Sequence, residues 1–460
     1  MSEHPEQPEL PEQPERAAPR HAPVPAASAR TARPLDRWAA DALHRVTSAA
    51  LGPYQSAVIR IGFAGTWLLF LLREVPHRRE LYGPEGPWSW DMAQRLIARN
   101  NAFSALMWSD SALWFEIVFA VAVLSSALLM IGWRTRTMSV LFMVGVLSLQ
   151  NRSIFMGDGG DNVIHLMAIY LVLTRCGQVW SLDARRAARA ARAARTPETV
   201  GTAETVGTAE TAGASDAAPP AVRDRVGPVL WTVTGTVLLI GTFTDRVQIE
   251  NWLTALFWGA WAAQGLWWAV NRHAPRGEPR ALLNVLANLI HNAALAVIMA
   301  EVCLIYATAG WYKIQGSRWQ DGTALYYPLK LDYFAPWPAL SDLFASSALI
   351  VMVLTYGTVV VQVAFPFTLF NRRVKNVLLV AMMLEHAGIA VLLGLPFFSL
   401  AMIAADAVFL PTVFLLWLGG RVTGVRDRLL GQLPGRTRTS TGEAVPGQRQ
   451  ESPEQPRTLV

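Results

Sequence analysis

The chain has 460 residues, 52% of them hydrophobic and only 16% charged, with a mean hydropathy of +0.27. Soluble domains carry about 25% charged and 45–50% apolar residues, and here the polar residues gather at the ends, so a soluble globular protein, a secreted disulfide scaffold and a coiled coil are excluded. The formal charge of +6 comes from arginines in short segments between hydrophobic runs, the pattern of cytoplasmic loops rather than of a nucleic-acid surface, and no nucleic-acid partner is expected.

In chain order, residues 1–34 repeat Pro-Glu-Gln-Pro at 5–8 and 11–14 and read as a disordered tail that cannot bury a core. The tail lacks the apolar core of a cleavable signal, so the first span is expected to direct insertion. Residues 35–50 place Leu35, Trp38, Leu43 and Val46 at helical spacing among Asp36, Arg37, Asp41 and Arg45, which predicts an amphipathic helix on the membrane surface. A membrane crossing needs about 20 predominantly apolar residues. Segments of this kind fall at about 54–72, 112–132, 137–156, 160–175, 227–244, 252–270, 285–310, 343–369, 374–394 and 397–418. The first four lie in a membrane region at 51–183, and the last six in a second at 227–420. Between them, 184–226 opens on Arg185, Arg186, Arg189, Arg192 and Arg195 and continues through Thr-Ala-Glu-Thr repeats to Pro219-Pro220, and is expected to be a disordered cytoplasmic linker. Residues 421–460 form a polar cytoplasmic tail. The expected fold is therefore an all-α, polytopic integral membrane bundle of about ten transmembrane helices. The arginines cluster on alternate loops, which predicts a multi-pass protein of the cell membrane with both termini cytoplasmic. Segments 73–111, 151–161 and 311–342 then face outward, and candidate chemistry belongs there.

Only three lysines occur, Lys313, Lys330 and Lys375. Lys313 stands where a long apolar run ends, in YATAGWYKIQGSRWQDGTALYYPLKLDYF at 306–334. It reads either as a snorkelling residue that sets the helix end or as a base, because a partly buried lysine can give up its proton and arginine cannot. Gly310, Gly316 and Gly322 with Trp311, Trp319, Tyr326 and Tyr327 describe a tightly turned aromatic segment around it. Asp158-Gly159-Gly160-Asp161 precedes a short apolar run containing Asn162 and His165. This lacks the ligand count of a calcium loop, no metal is expected, and Asp161 is predicted to cap the helix. Asn284, Asn288, His291 and Asn292 form one polar stripe, followed by Glu301. Such intramembrane groups, with His386 and Asp406, serve interhelical hydrogen bonds or function, and the spacing leaves both open. Cys176 and Cys303 read as small buried hydrophobes. No Walker A loop, Rossmann fingerprint, HExxH or GxSxG occurs.

Four blocks together resemble the bacterial HTTM (horizontally transferred transmembrane) domain proteins, related to the vitamin K-dependent gamma-carboxylase. They are Leu81-Tyr82-Gly83-Pro84; Gly157 to Asp161 leading to Trp180-Ser181-Leu182-Asp183; Ala309-Gly310-Trp311-Tyr312-Lys313 with Trp319-Gln320-Asp321-Gly322; and His386 with the turn Gly394 to Phe398. The resemblance spans about residues 50–420. It implies an extracytoplasmic active site in which a lysine deprotonates vitamin K hydroquinone. Oxygenation then yields a strong base that removes a gamma proton from a protein glutamate, and carbon dioxide adds. Lys313 and His386 occupy the matching catalytic positions. Trp311, Tyr312, Trp319, His165 and Asp161 are the expected quinone-binding residues, for a reduced naphthoquinone that is either vitamin K hydroquinone or menaquinol. The carboxylase carries a large luminal domain after its membrane region, whereas this sequence ends in a polar tail, so protein carboxylation is not carried over. Two alternatives follow. One is a non-catalytic membrane subunit that pairs with a small secreted or membrane-anchored peptide or protein and assists its maturation or export. The other is a transporter, in which Asn288, His291, Glu301 and Asp406 would converge on one path.

Overall fold

The computed structural model describes residues 34–193, 226–247 and 252–431. Among these, every regular element is helical. The α-helices are α1 (Pro34–Ser48), α2 (Pro53–Glu74), α3 (Arg78–Tyr82), α4 (Trp90–Asn100), α5 (Ala112–Ile131), α6 (Thr135–Arg152), α7 (Gly159–Leu173), α8 (Leu182–Ala193) and α9 (Val226–Phe243). They continue as α10 (Trp252–His273), α11 (Glu278–Gln315), α12 (Ser317–Gln320), α13 (Tyr326–Leu329), α14 (Pro338–Ala345), α15 (Ala348–Ala364), α16 (Arg372–Leu392), α17 (Pro396–Asp406) and α18 (Thr412–Gly431).

Each of the ten apolar segments is helical, but length and apolarity support fewer crossings. Six helical stretches are long and apolar enough to cross a membrane: α2 with its continuation to Tyr82, α5, α9, α11, α15 with its continuation to Thr368, and α16; the bent pair α17–α18 would make seven. α6 carries Arg136, Gln150, Asn151 and Arg152 at its ends. α7 has 15 residues, a rise of about 22 Å against a hydrocarbon core of about 30 Å. The segment 397–418 is two helices at 120° to each other. Leu410 is extended at the break because the following Pro411 disfavours helical backbone there and has no N–H to continue the ladder. Pro396–Phe409 instead runs antiparallel to α2: Phe397 packs on Phe70, ring centroids 5.8 Å apart, and Gln55 Nε2 donates to the Leu410 carbonyl at 2.8 Å. The first residues of the stretch expected to be a disordered linker from 184 are instead helical, because 182–193 is helix α8, an Ala- and Arg-rich stretch of strong helix formers. Residues 194–225, the tail before 34 and the tail beyond 431 lie outside the described residues.

α2 is the core helix. Ile59, Phe63, Trp67, Phe70 and Leu71 are buried, and α5, α7 and α17 pack around them. Arg60 is fully buried within it. Its guanidinium donates to the carbonyls of Leu129 (2.5 Å), Met130 (2.8 Å), Cys176 (3.2 Å) and Trp180 (2.8 Å). The first two belong to the last turn of α5, where carbonyls lack intrahelical partners and the helix dipole favours a cation.

α11, at 38 residues, rises about 57 Å and exceeds a bilayer with its headgroups. Its N-terminal polar stripe fastens α1. Asn288 Nδ2 donates to the Thr47 carbonyl and Asn292 Nδ2 to the Val46 and Ala49 carbonyls, each at 2.9 Å. Asn292 Oδ1 accepts from the Leu51 N–H at 2.7 Å. Arg175 N–H donates to His291 Nδ1 at 2.9 Å. That makes Nε2 the protonated nitrogen facing the Leu51 carbonyl at 2.8 Å, which is the tautomer of a neutral imidazole.

Candidate functional site

The C-terminal half of α11 aligns Tyr306, Gly310 and Lys313 at i, i+4 and i+7, one face of the helix. At Gly310 a Cβ would lie 2.5 Å from Val363 Cγ2, so the missing side chain lets α15 approach and places Gln362 opposite Lys313. Lys313 Nζ donates to Gln362 Oε1 at 2.8 Å, and Gln362 Nε2 donates to Glu385 Oε1 of α16 at 2.6 Å. An ammonium or amine can only present N–H to the amide oxygen, and a carboxylate can only accept from the amide nitrogen. The orientation of Gln362 is therefore fixed, and it couples the lysine to the glutamate.

Two helical turns deeper, Tyr306 is buried and joins His386 of α16 to Asp406 at the end of α17. The phenol donates to Asp406 Oδ1 at 2.9 Å and lies 3.0 Å from His386 Nε2. Tyr306 has one hydroxyl proton. Directed at Asp406, it leaves the phenol oxygen to accept from His386 Nε2–H. With the protons shifted along the chain, a protonated Asp406 donates to Tyr306 and Tyr306 donates to Nε2. His386 Nδ1, Asp406 Oδ2 and Ser399 Oγ are buried without a hydrogen-bond partner among the described residues. Glu385 and His386 are consecutive, so one turn of α16 serves both chains.

Beyond Lys313 the backbone breaks at Gly316 and folds back against α15. Gly322 adopts φ +77, a left-handed turn that favours glycine, and Tyr356 donates its hydroxyl to the Gln320 carbonyl at 2.7 Å. The fold-back sets the Trp319 ring centroid 5.3 Å from Lys313 Nζ. Trp311 and Tyr312 lie on the exposed flank of α11, 61% and 74% accessible.

Asp161 and His165 form a separate set on α7. The N-cap is Asp158 rather than Asp161: Asp158 Oδ1 accepts from the Gly160 and Asp161 N–H groups at 2.7 and 3.2 Å, while Asp161 Oδ2 accepts from Asp158 N–H at 2.8 Å. This is a reciprocal capping box with Asp161 in the third helical position. Gln150 ties it to α6, lying 2.8 Å from His165 Nδ1 and donating to the Asp161 carbonyl at 2.8 Å. The set adjoins His386 through one ring. A Cβ on Gly160 would lie 2.6 Å from the Phe398 backbone, and the Phe398 ring is 5.5 Å from the His386 ring.

Lys313 and His386 are thus brought into neighbouring hydrogen-bonded chains, with Trp319 beside the lysine. Asn288 and His291 are not brought to Asp406. They lie 15 or more residues before Tyr306 on α11, about 22 Å or more along the helix, and spend their hydrogen bonds on α1 and Arg175. Sequence reasoning missed Tyr306, Gln362 and Glu385 as site residues. Gln362 and Glu385 are polar groups inside long apolar runs, the same signal that marked His291 and Asp406. Comparison with protein-family models, with curated proteins and with solved structures finds no match for this chain.

Proposed function

We propose that this protein is a polytopic membrane enzyme in which Lys313 acts as a general base toward a reduced naphthoquinone at the outer membrane face. The observation that carries this reading is the chain Lys313–Gln362–Glu385, set against Tyr306–His386–Asp406 at one end of α11. A neutral lysine donates one N–H to Gln362 and keeps its lone pair for an incoming proton. Once protonated, the ammonium is held by the same amide, and its charge is balanced through that amide by Glu385. Trp319 supports such a ligand by offering a flat aromatic face beside the amine. A reduced naphthoquinone supplies an acidic ring hydroxyl. The order of motifs shared with HTTM proteins supports the same assignment.

In this reading α6, α7 and α10 also lie within the bilayer, and Pro396–Phe409 makes the last of ten passes, with both termini cytoplasmic. The test is hydroquinone consumption by the purified protein in lipid nanodiscs, with oxygen present and menaquinol as substrate. Positioned acid–base groups contribute roughly 10²–10⁴ in rate, so Lys313→Gln and Lys313→Arg should each lose at least about a hundredfold. Full turnover in either variant, or a wild-type rate no higher than empty nanodiscs, overturns the proposal. A second reading, a non-catalytic subunit for a small secreted or anchored peptide, is favoured by the exposed aromatics Trp311, Tyr312, Tyr333 and Trp337. It predicts that Lys313→Gln retains cellular function while substitutions of those four do not.

A further inference from the structure

The opposite end of α11 holds a second feature. A cavity of about 930 Å³ opens between the start of α6, the 174–181 turn and the α9–α10 pair, with Arg136, Arg175, Trp231, Trp267 and Trp268 on its wall. α9 and α10 are locked together by their tryptophans. Trp231 and Trp261 stack with centroids 4.2 Å apart, and each indole N–H donates to the other's carbonyl, at 3.0 and 2.9 Å. Thr137 joins α6 to α10 by a 2.7 Å bond to Gln264.

Three guanidinium groups converge on one indole here. From the Trp267 centroid, Arg136 lies at 3.9 Å, Arg280 of α11 at 5.3 Å and Arg175 at 5.9 Å. None of the three forms an ion pair among the described residues. Arg175 is engaged by the neutral Asn288 amide at 2.5 Å, and the buried Arg280 Nε has no hydrogen-bond partner. The acid on the cavity wall, Asp183, is already committed. It accepts from the Arg134 and Thr135 N–H groups and the Thr135 hydroxyl at 2.9, 2.8 and 3.1 Å.

Converging like charges next to a low-dielectric region are costly unless an anion joins them. We propose that this cavity binds the phosphate of an anionic phospholipid, held by Arg136 and Arg175 of its wall, with Arg280 adding its charge from beside the Trp267 ring and the acyl chains along the α9–α10 flank. Guanidinium groups suit phosphate oxygens through paired N–H donors, and basic pockets between membrane helices take anionic headgroups. A lipid is the source, not free phosphate, because Trp231, Trp267 and Trp268 share the cavity wall with the arginines. Val229, Val233, Leu266 and Trp268 on α9 and α10 are 59%, 53%, 53% and 46% exposed, apolar surface on which acyl chains can lie. The site is separate from Lys313: Arg280 and Lys313 are 33 positions apart on α11, about 50 Å of helix.

The test is native mass spectrometry of the full-length protein in detergent, titrated with phosphatidylglycerol or phosphatidylcholine, with inorganic phosphate as competitor. Phosphatidylglycerol should bind at least about tenfold more tightly than phosphatidylcholine, and each positive charge removed should weaken it roughly fivefold. Arg136→Gln with Arg280→Gln should therefore cost roughly 30-fold. Arg421→Gln on the exposed face of α18 should change nothing, and Arg136→Lys should retain most of the affinity, which separates charge loss from misfolding. Equal binding of the two lipids, unchanged affinity in the double variant, or displacement by inorganic phosphate at the concentration that phosphatidylglycerol needs would each overturn the proposal.

Discussion

At the scale of single residues, the buried arginine on α2 shows how a charge can be structural inside a membrane bundle. Arg60 touches no carboxylate among the described residues. Its partners are four carbonyl oxygens on two separate segments, the end of α5 and the 176–180 turn. Removing the side chain leaves buried acceptors without donors, which costs more than the net worth of the bonds themselves. Arg60→Met should therefore lower stability by about 2–4 kcal/mol, read as a drop in the unfolding midpoint in detergent. Arg60→Lys should recover part of it, since one ammonium cannot reach all four oxygens. Arg189→Gln on the exposed α8 should leave the midpoint unchanged. The same scale separates what the sequence disclosed from what it hid. Lys313 stood out because an arginine-rich chain keeps an amine there. Gln362 and Glu385 did not, because their meaning lies in facing Lys313 across two helix interfaces that no one-dimensional spacing encodes.

At the scale of elements, helix positions were legible because apolar runs translate directly into helices: the segment expected at 54–72 is Pro53–Glu74, and that at 112–132 is Ala112–Ile131. The break at Pro411 was hidden because apolar residues continue on both sides of it, so a running hydropathy crosses it smoothly while the backbone turns. Close approach of helices was also invisible until α11 and α15 were seen together. Gly310 is the point of contact, and an alanine there would place its methyl 2.5 Å from Val363 Cγ2. Valine has a stiff χ1 and cannot swing aside, so α15 must move, taking the adjacent Gln362 away from Lys313. Gly310→Ala should cost about 1–3 kcal/mol by overpacking and reduce turnover together with stability. Val363→Ala in the same chain should restore both, a coupling of opposite sign that a double-mutant cycle measures directly.

At the scale of the whole molecule, α11 carries the functional asymmetry. One end bears Arg280 and the neutral polar stripe that holds α1, and the other bears Tyr306 and Lys313. A helix rise of 1.5 Å per residue puts these ends farther apart than the hydrocarbon core is thick, so they belong to opposite membrane faces if α11 crosses once. The arginine-rich connection before α11 and the aromatic segment after it then follow as the inner and outer loops. The expectation can be checked with single cysteines in a Cys176→Ala, Cys303→Ala background. Tyr333→Cys, at a position 87% exposed, should react with a membrane-impermeant maleimide in intact cells. Arg276→Cys, before the start of α11, should react only after the membrane is opened. Labelling of both from the same side would mean that α11 does not cross. The lysine chain and the arginine cavity would then share one face, and the outward placement of the lysine proposed above would be lost.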